Sequence, residues 1–80
     1  MADEYSIHLN IQQVENGEYM ATSKDMPGLV AQGRTIAETI EIAKDVAKKL
    51  VESYVEHGDP IPSTMKKIYD KFEIDVTVGL

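Results

Sequence analysis

Apolar residues recur every three or four positions throughout residues 35–56, which is the spacing that an amphipathic α-helix requires. One stripe of the predicted helix contains Ile36, Ile40, Ala43, Ala47, Leu50 and Tyr54, with Val46 and Val51 beside it. Thr35 and Glu38 have the spacing of a capping box, in which each side chain accepts a hydrogen bond from the other residue's backbone amide. Gly58 supplies the stop. Such a helix can cover one face of a sheet.

The chain before this helix is predicted to form three strands joined by two tight turns. Residues 5–11 alternate between apolar and polar side chains, which is typical of a half-buried strand. The Asn16-Gly17 pair predicts a hairpin that returns the chain through a second strand at residues 18–23. Pro27 and Gly28 fit a type II turn, and a short third strand follows at residues 29–32.

The chain after the helix is predicted to return to the sheet. Pro60 and Pro62 cannot continue a helix and favour an extended connection. Residues 63–69 fit a helical turn, and strict alternation at residues 72–78 predicts a fourth strand, parallel to the first. The predicted fold class is α+β, in the order β-β-β-α-β. It is a four-stranded mixed sheet with one long helix packed on one face.

Size and charge limit the possible functions. The 80 residues leave room for a single domain over residues 1–80. A chain this short buries only about 60–65% of its unfolded surface, so we expect either a stability of a few kcal/mol or self-association into homo-oligomers. The formal net charge of −6 disfavours direct nucleic-acid binding and suits a basic protein partner, although solubility alone is a more common reason for an acidic surface. The sequence has no signal peptide and no apolar run that could span a membrane, so we expect a cytoplasmic protein that does not contact a membrane.

One constellation of polar residues permits an enzymatic hypothesis. If the first and fourth strands pair, His8 would lie near Glu73 and Asp75, and this set could bind a divalent metal in a hydrolase. The alternative is an ordinary polar sheet face, which we favour because no catalytic or cofactor-binding motif accompanies the three residues. We therefore expect no cofactor, no metal and no enzymatic activity.

A second candidate site lies on the far side of the helix. Ile42 is predicted to lie off the apolar stripe, in water beside Glu41 and Asp45. A lone exposed isoleucine is common, but it could also belong to a protein-binding patch.

Several short motifs resemble those of the HicB-like antitoxin family, in the same order and spacing. They are Tyr19-Met20-Ala21, Asp25-Met26-Pro27-Gly28, Gly33-Arg34-Thr35, then Glu38, Ala43 and Ala47 in the helix, and Gly58 with Pro60-Ile61-Pro62. The resemblance extends from about residue 5 to residue 78. It implies a partial ribonuclease H-like fold. We expect a stand-alone domain, because the DNA-binding module that full family members append is not found in these 80 residues.

The resemblance also implies a function in a toxin–antitoxin system. Domains of this family bind and neutralise HicA-type toxins, which are small basic ribonucleases. The residues expected to bind such a partner are Asp25, Met26, Glu41, Ile42 and Asp45. Nuclease activity is not expected from the ribonuclease H likeness, because residues 5–13 contain no carboxylate to serve as a metal ligand. A metal-dependent hydrolase and a homo-oligomeric domain of unknown ligand remain as alternatives.

Overall fold

The computed structural model describes residues 5–61, 66–67, 73–76 and 78. Its elements are β1 (Tyr5–Ser6), β2 (Asn10–Gln13), β3 (Tyr19–Thr22), β4 (Val30–Gly33), α1 (Ile36–Glu56) and β5 (Lys66–Lys67). The strands β2, β3 and β4 form an antiparallel sheet in that order, and β1 pairs antiparallel with β5. The predicted α+β class, with a three-stranded meander followed by one long helix, is confirmed.

The first turn closes the hairpin between β2 and β3. The amide of Val14 donates to the carbonyl of Glu18 over 2.8 Å, and the amide of Gly17 donates to the carbonyl of Val14 over 2.9 Å. Gly17 has a φ of 86°, whereas Asn16 does not adopt a positive φ. The side-chain oxygen of Asn16 instead accepts a hydrogen bond from the amide of Glu18 over 3.0 Å. The predicted hairpin is therefore confirmed, with only the glycine in the left-handed region.

The second turn, between β3 and β4, carries two core residues. The amide of Leu29 donates to the carbonyl of Met26 over 3.2 Å, and Gly28 has a φ of 93°. A positive φ at this position is what the predicted type II turn requires, and glycine adopts it without a steric penalty. Both Met26 and Leu29 are buried. The turn thus delivers two large apolar side chains into the core.

The predicted first strand over residues 5–11 is interrupted between β1 and β2. At His8 the hydrogen-bond partners are two side chains of the same molecule, those of Ser23 and Asp25, and not backbone groups. The amide of His8 donates to the carboxylate of Asp25 over 2.7 Å, and the hydroxyl of Ser23 donates to the carbonyl of His8 over 2.7 Å. The prediction of one continuous strand was therefore wrong at this point. The alternation of apolar and polar residues does not reveal where side chains replace backbone groups as hydrogen-bond partners.

Both ends of α1 are capped. The hydroxyl of Thr35 accepts from the amide of Glu38 over 3.0 Å, as predicted, but the carboxylate of Glu38 accepts from the amide of Arg34 over 3.2 Å and not from that of Thr35. At the other end, Gly58 donates to the carbonyl of Val55 over 3.2 Å. Asp59 donates to the carbonyl of Tyr54 over 2.8 Å, which completes a Schellman motif.

The core lies between α1 and the strands β3 and β4. Its buried residues are Ala21, Met26, Leu29, Ala31 and Ala43. The helix also buries Thr39, whose hydroxyl donates to the carbonyl of Thr35 over 2.7 Å and is therefore satisfied within the helix. Ile42 is half-buried and packs against the core, so its predicted exposure to water was wrong.

The orientation of α1 follows from small residues on the inner face of the sheet. A Cβ built on Gly33 would lie 2.8 Å from Oγ1 of Thr39 and 2.9 Å from its backbone nitrogen. Ala21 and Ala31 likewise leave little side chain between the backbones. The helix consequently lies closest to β3 and β4 on the side that carries Thr39, Ala43 and Ile42, and the predicted stripe is turned partly away.

The predicted fourth strand is not confirmed. Residues 73–76 and 78 form no strand, and Ile74, Val76 and Val78 are 64%, 72% and 78% exposed; Phe72 and Thr77 lie outside the described residues. The segment that pairs with β1 is β5, and it runs antiparallel instead of parallel. The helical turn predicted at residues 63–69 is wrong at Lys66 and Lys67, which form β5, and its other residues lie outside the described part.

We predict that Gly33→Ala lowers the free energy of unfolding by about 1–3 kcal/mol, because the new methyl group would force the helix away from β4. Urea denaturation monitored by circular dichroism measures the change. The exposed neighbour Arg34 provides a control, since Arg34→Ala keeps the backbone amide that bonds Glu38 and should change stability by less than about 0.5 kcal/mol. Equal stability of Gly33→Ala and the wild type would contradict the close packing.

Candidate functional site

A groove of about 720 Å³ lies beside the helix, on the side away from β3 and β4. Its apolar lining comes from Ile7, Leu9 and Ile11 on the first segment, from Ile36, Ala37 and Ile40 on α1, and from Ile74 and Val76. The groove opens where α1, which packs against β3 and β4, leaves Ile7, Leu9 and Ile11 half-buried at the edge of the core. Ile36 and Ile40, which the sequence assigned to the core stripe, therefore line a cleft.

The backbone beside the groove directs part of its hydrogen-bonding groups away from β3. In β2, Asn10 pairs with Thr22 and Gln12 pairs with Met20. These residues direct their backbone groups to the same side as His8, whose backbone bonds Ser23 and Asp25. Successive residues of an antiparallel strand direct their backbone groups to opposite sides. The amides and carbonyls of Ile7, Leu9 and Ile11 therefore point toward the open edge, and no strand in the described part of the chain pairs along residues 7–11 of that edge.

The rim of the groove is acidic. Glu41, Glu73 and Asp75 line it together with Ser6 and His8, and no lysine or arginine whose side chain the structure describes is among the lining residues. The carboxylate of Glu41 lies 3.4 Å from Nζ of Lys44, in a pair whose side chains are 72% and 66% exposed. An exposed pair of this kind contributes at most about 1 kcal/mol. A cationic partner could therefore replace Lys44 at little cost.

The five residues that the sequence grouped as a partner-binding site differ in their exposure and contacts. Glu41 and Asp45 are exposed, one helical turn apart. Asp25 directs its carboxylate to the amide of His8. Met26 is buried, so its side chain offers no surface to a partner in this structure, and Ile42 packs against the core. Of the five side chains, those of Glu41 and Asp45 are therefore the ones exposed to solvent.

The residues of the enzymatic hypothesis come together only in part. His8, Glu73 and Asp75 all line the groove. Within residues 5–61, 66–67, 73–76 and 78, however, no three histidine, cysteine or carboxylate side chains are placed to hold one metal ion. The hydroxyl of Ser23 donates to the backbone of His8, and this contact leaves the imidazole uninvolved.

Two known proteins are similar in sequence to most of this chain. Both are named Antitoxin HicB, one from Escherichia coli K12 and one from Escherichia coli O157:H7, and each is 33% identical over 65 residues, or 79% of this chain. The chain is related to the HicB antitoxins. It spans about half the length of these relatives, 47% of each. No family model and no solved structure matches the sequence.

The relationship to HicB confirms the resemblance drawn from the turn and helix motifs. The groove of this HicB-related chain was not among the predicted features, because it results from how α1 sits on the sheet. One signal in the sequence points to it in retrospect. The inner positions of β3 and β4 carry Ala21, Ala31 and Gly33, and such small residues allow a helix to lie close above them.

The described residues of this HicB-related chain were also searched for a membrane-spanning helix. Their single long helix, α1, lacks the sustained hydrophobicity that a membrane span requires.

We predict that Ile42→Ala and Ile40→Ala differ in their effect on stability, although the substitution is the same. Ile42 packs against the core, so its truncation should cost about 1–3 kcal/mol. Ile40 lines the groove, and its truncation should cost less than about 1 kcal/mol. Urea denaturation of the two variants measures the difference. A larger loss for Ile40→Ala would show that the helix faces the sheet with its predicted stripe.

Proposed function

We propose that this HicB-related chain is a non-enzymatic antitoxin that binds and neutralises a basic ribonuclease toxin of the HicA type. The observation that carries the proposal is the apolar groove with an acidic rim, where three carboxylates and, among the described side chains, no lysine or arginine line the surface. The net charge of −6 and the name of the HicB relatives support it. Such a toxin would meet its RNA in the cytoplasm, which is the compartment we propose.

Neutralisation would proceed by occlusion, in two stages. Glu41 and Asp45 lie in water on the helix, where they attract a basic surface and raise the association rate. Apolar side chains of the partner then enter the groove and slow dissociation. Because Glu41 exchanges Lys44 for a cation of the partner, little binding energy is lost in breaking the existing pair.

The other three residues of the predicted site would contribute from within the fold. Asp25 holds the backbone of His8 at the rim, and its carboxylate is committed to that contact. Met26 and Ile42 fix the turn and the helix from the core. We propose direct contact with the toxin for Glu41 and Asp45 only. The hydrolase hypothesis is not carried forward, since His8, Glu73 and Asp75 do not form a metal-binding group.

We further propose that residues 73–76 add to the open edge as the fourth strand when the toxin binds, giving the four-stranded, partial ribonuclease H-like sheet. Burying Ile74, Val76 and Val78 completely would contribute about 1.5–3 kcal/mol each. Fixing the backbone of the stretch from residue 73 to residue 78 costs about 1–2 kcal/mol for each of its six residues, or about 6–12 kcal/mol. This cost matches or exceeds the gain of about 4.5–9 kcal/mol, so the strand needs a partner to stabilise it. The chain is also proposed to form homo-oligomers, as its small size favours.

The proposed function is tested by co-expressing this chain with a HicA-type toxin in bacteria. Co-expression should restore growth, and the two proteins should elute together from gel filtration. The double variant Glu41→Lys, Asp45→Lys should lower the association rate about tenfold, because it reverses the charges that steer a basic partner. Stopped-flow or surface-plasmon measurements give the rate.

A matched control is Glu56→Lys at the far end of the same helix. Glu56 is exposed and lies about 16 Å from Asp45 at the usual rise per residue, which is beyond the screening length of about 8 Å at physiological salt. It should leave the rate within about twofold of the wild type. If the wild-type chain neither rescues growth nor forms a complex, the antitoxin proposal fails.

The fourth strand predicts a specific pattern of amide hydrogen exchange. In the toxin complex, the amides of Leu9 and Ile11 should become protected, since their side of β2 would then be paired. The amides of Asn10 and Gln12 serve as internal controls, because they face β3 and should be protected in both states. The variant Ile74→Ser, Val76→Ser should lose the new protection. Protection that survives this variant would assign it to the toxin and would contradict the strand.

A further inference from the structure

The loop of the first hairpin brings an asparagine side chain next to a glycine amide in water. Three exposed residues form the tip between β2 and β3: Glu15, Asn16 and Gly17. The amide of Val14 closes the loop by donating to the carbonyl of Glu18 over 2.8 Å. Gly17 has a φ of 86°, which is typical of a three-residue loop in which a left-handed glycine follows a type I turn. The carboxamide of Asn16 and the backbone nitrogen of Gly17 are therefore neighbours on an accessible loop.

This pair of residues can react without an enzyme. After the amide of Gly17 loses its proton, its nitrogen can attack Cγ of Asn16, and the absence of a glycine side chain leaves the approach unhindered. The new N–Cγ bond closes a succinimide ring as the Cγ–Nδ2 bond breaks, and the side-chain nitrogen leaves as ammonia with the proton that the amide gave up. Water then opens the ring. Attack at the side-chain carbonyl gives aspartate, whereas attack at the backbone carbonyl gives isoaspartate, in which the main chain runs through the former side chain.

Three hydrogen bonds oppose this reaction in the folded chain. The amide of Gly17 donates to the carbonyl of Val14 over 2.9 Å, and a bonded amide loses its proton to solvent only when the bond opens. Oδ1 of Asn16 accepts from the amide of Glu18 over 3.0 Å, which holds the carboxamide toward Glu18. Nε2 of Gln13 donates to the carbonyl of Gly17 over 3.1 Å and fixes the peptide group that follows the glycine. The loop must therefore open before Asn16 can react.

We propose that Asn16 is a site of spontaneous deamidation that reacts in chains whose β2–β3 hairpin has opened, and that the isoaspartate product prevents the hairpin from closing again. Isoaspartate inserts an extra atom into the main chain of the tip, so the amide of Val14 and the carbonyl of Glu18 lose their pairing. The aspartate product keeps this pairing, because its carboxylate accepts from the amide of Glu18 as the carboxamide does. The two products of one reaction thus have opposite effects on the fold.

The consequence reaches the groove through β2. Ile11 lines the groove and pairs with Ala21 in the hairpin. A chain whose hairpin cannot close loses this wall of the groove. The isoaspartate is therefore a lasting covalent mark on a chain that has once unfolded at this hairpin. The inference goes beyond the proposed function and holds whether or not the chain binds a toxin.

The first test compares the rate of deamidation in the native chain and in concentrated urea, at the same neutral pH and temperature. Peptide mass spectrometry measures the conversion of Asn16, since replacing ammonia by water changes the mass. We expect a rate at least about tenfold lower in the native chain, because the loop must open first. Asn10 is the internal control, since the branched side chain of Ile11 hinders the same attack and should keep Asn10 intact under both conditions. Equal rates at Asn16 would overturn the control by the hairpin, and no reaction in urea would overturn the site.

Two neighbouring glutamines test the hydrogen bonds of the loop. Gln13→Ala removes the bond to the carbonyl of Gly17 and should raise the native rate about threefold to tenfold. Gln12→Ala changes a side chain on the opposite side of β2 and should stay within about 1.5-fold of the wild type. In urea both variants should react as the wild type does. If Gln13→Ala reacts no faster than Gln12→Ala in the native chain, the bonds of the loop do not control the reaction and the proposal is wrong on that point.

The effect on the fold is measured on the two products, which ion exchange separates from the unreacted chain because each carries one more negative charge. Reversed-phase chromatography then separates the two products from each other. After refolding, the aspartate form and the variant Asn16→Asp should protect the amide of Val14 against hydrogen exchange as the wild type does. The isoaspartate form should exchange this amide at least about tenfold faster. An isoaspartate form with the same protection as the aspartate form would overturn the effect on the hairpin.

Discussion

The close approach of the helix to β4 determines where the other parts of the molecule lie. Gly33 has no side chain, and Thr39 occupies the space that one would need. The helix thereby packs on β3 and β4, and Ile11 of β2 remains only half-buried on the same side. The groove opens beside this strand. A cleft with apolar walls thus results from the absence of one methyl group at the end of a strand.

Local features of the fold could be predicted from the sequence, because each depends on residues a few positions apart. The Thr35 cap, the Gly17 hairpin and the Gly28 turn are of this kind. The rotation of the helix could not be predicted from its own periodicity. A helical wheel shows an apolar stripe, but the small residues of another element decide which part of the stripe meets the sheet. Thr39 is buried despite its hydroxyl, since the helix itself satisfies it.

The charges of the candidate site could be predicted from the sequence, but its shape could not. Glu41 and Asp45 lie in water, as their chemistry requires. Ile36 and Ile40 were assigned to the core because a sequence cannot distinguish an apolar residue that lines a cleft from one that fills an interior. Alternation at residues 72–78 describes a segment able to form a strand. It does not show whether the free energy gained by pairing exceeds the entropic cost of ordering the backbone.

The two side chains that hold His8 have a consequence for strand alignment. Ser23 and Asp25 bind the carbonyl and the amide of one residue, so both bonds would be lost if the first segment slid by a single position. Such a slide would turn Ile7, Leu9 and Ile11 from the groove toward solvent. An open edge with apolar side chains is prone to misaligned pairing and aggregation. The Ser23 hydroxyl and the Asp25 carboxylate therefore fix the register of the strand at the edge of the sheet.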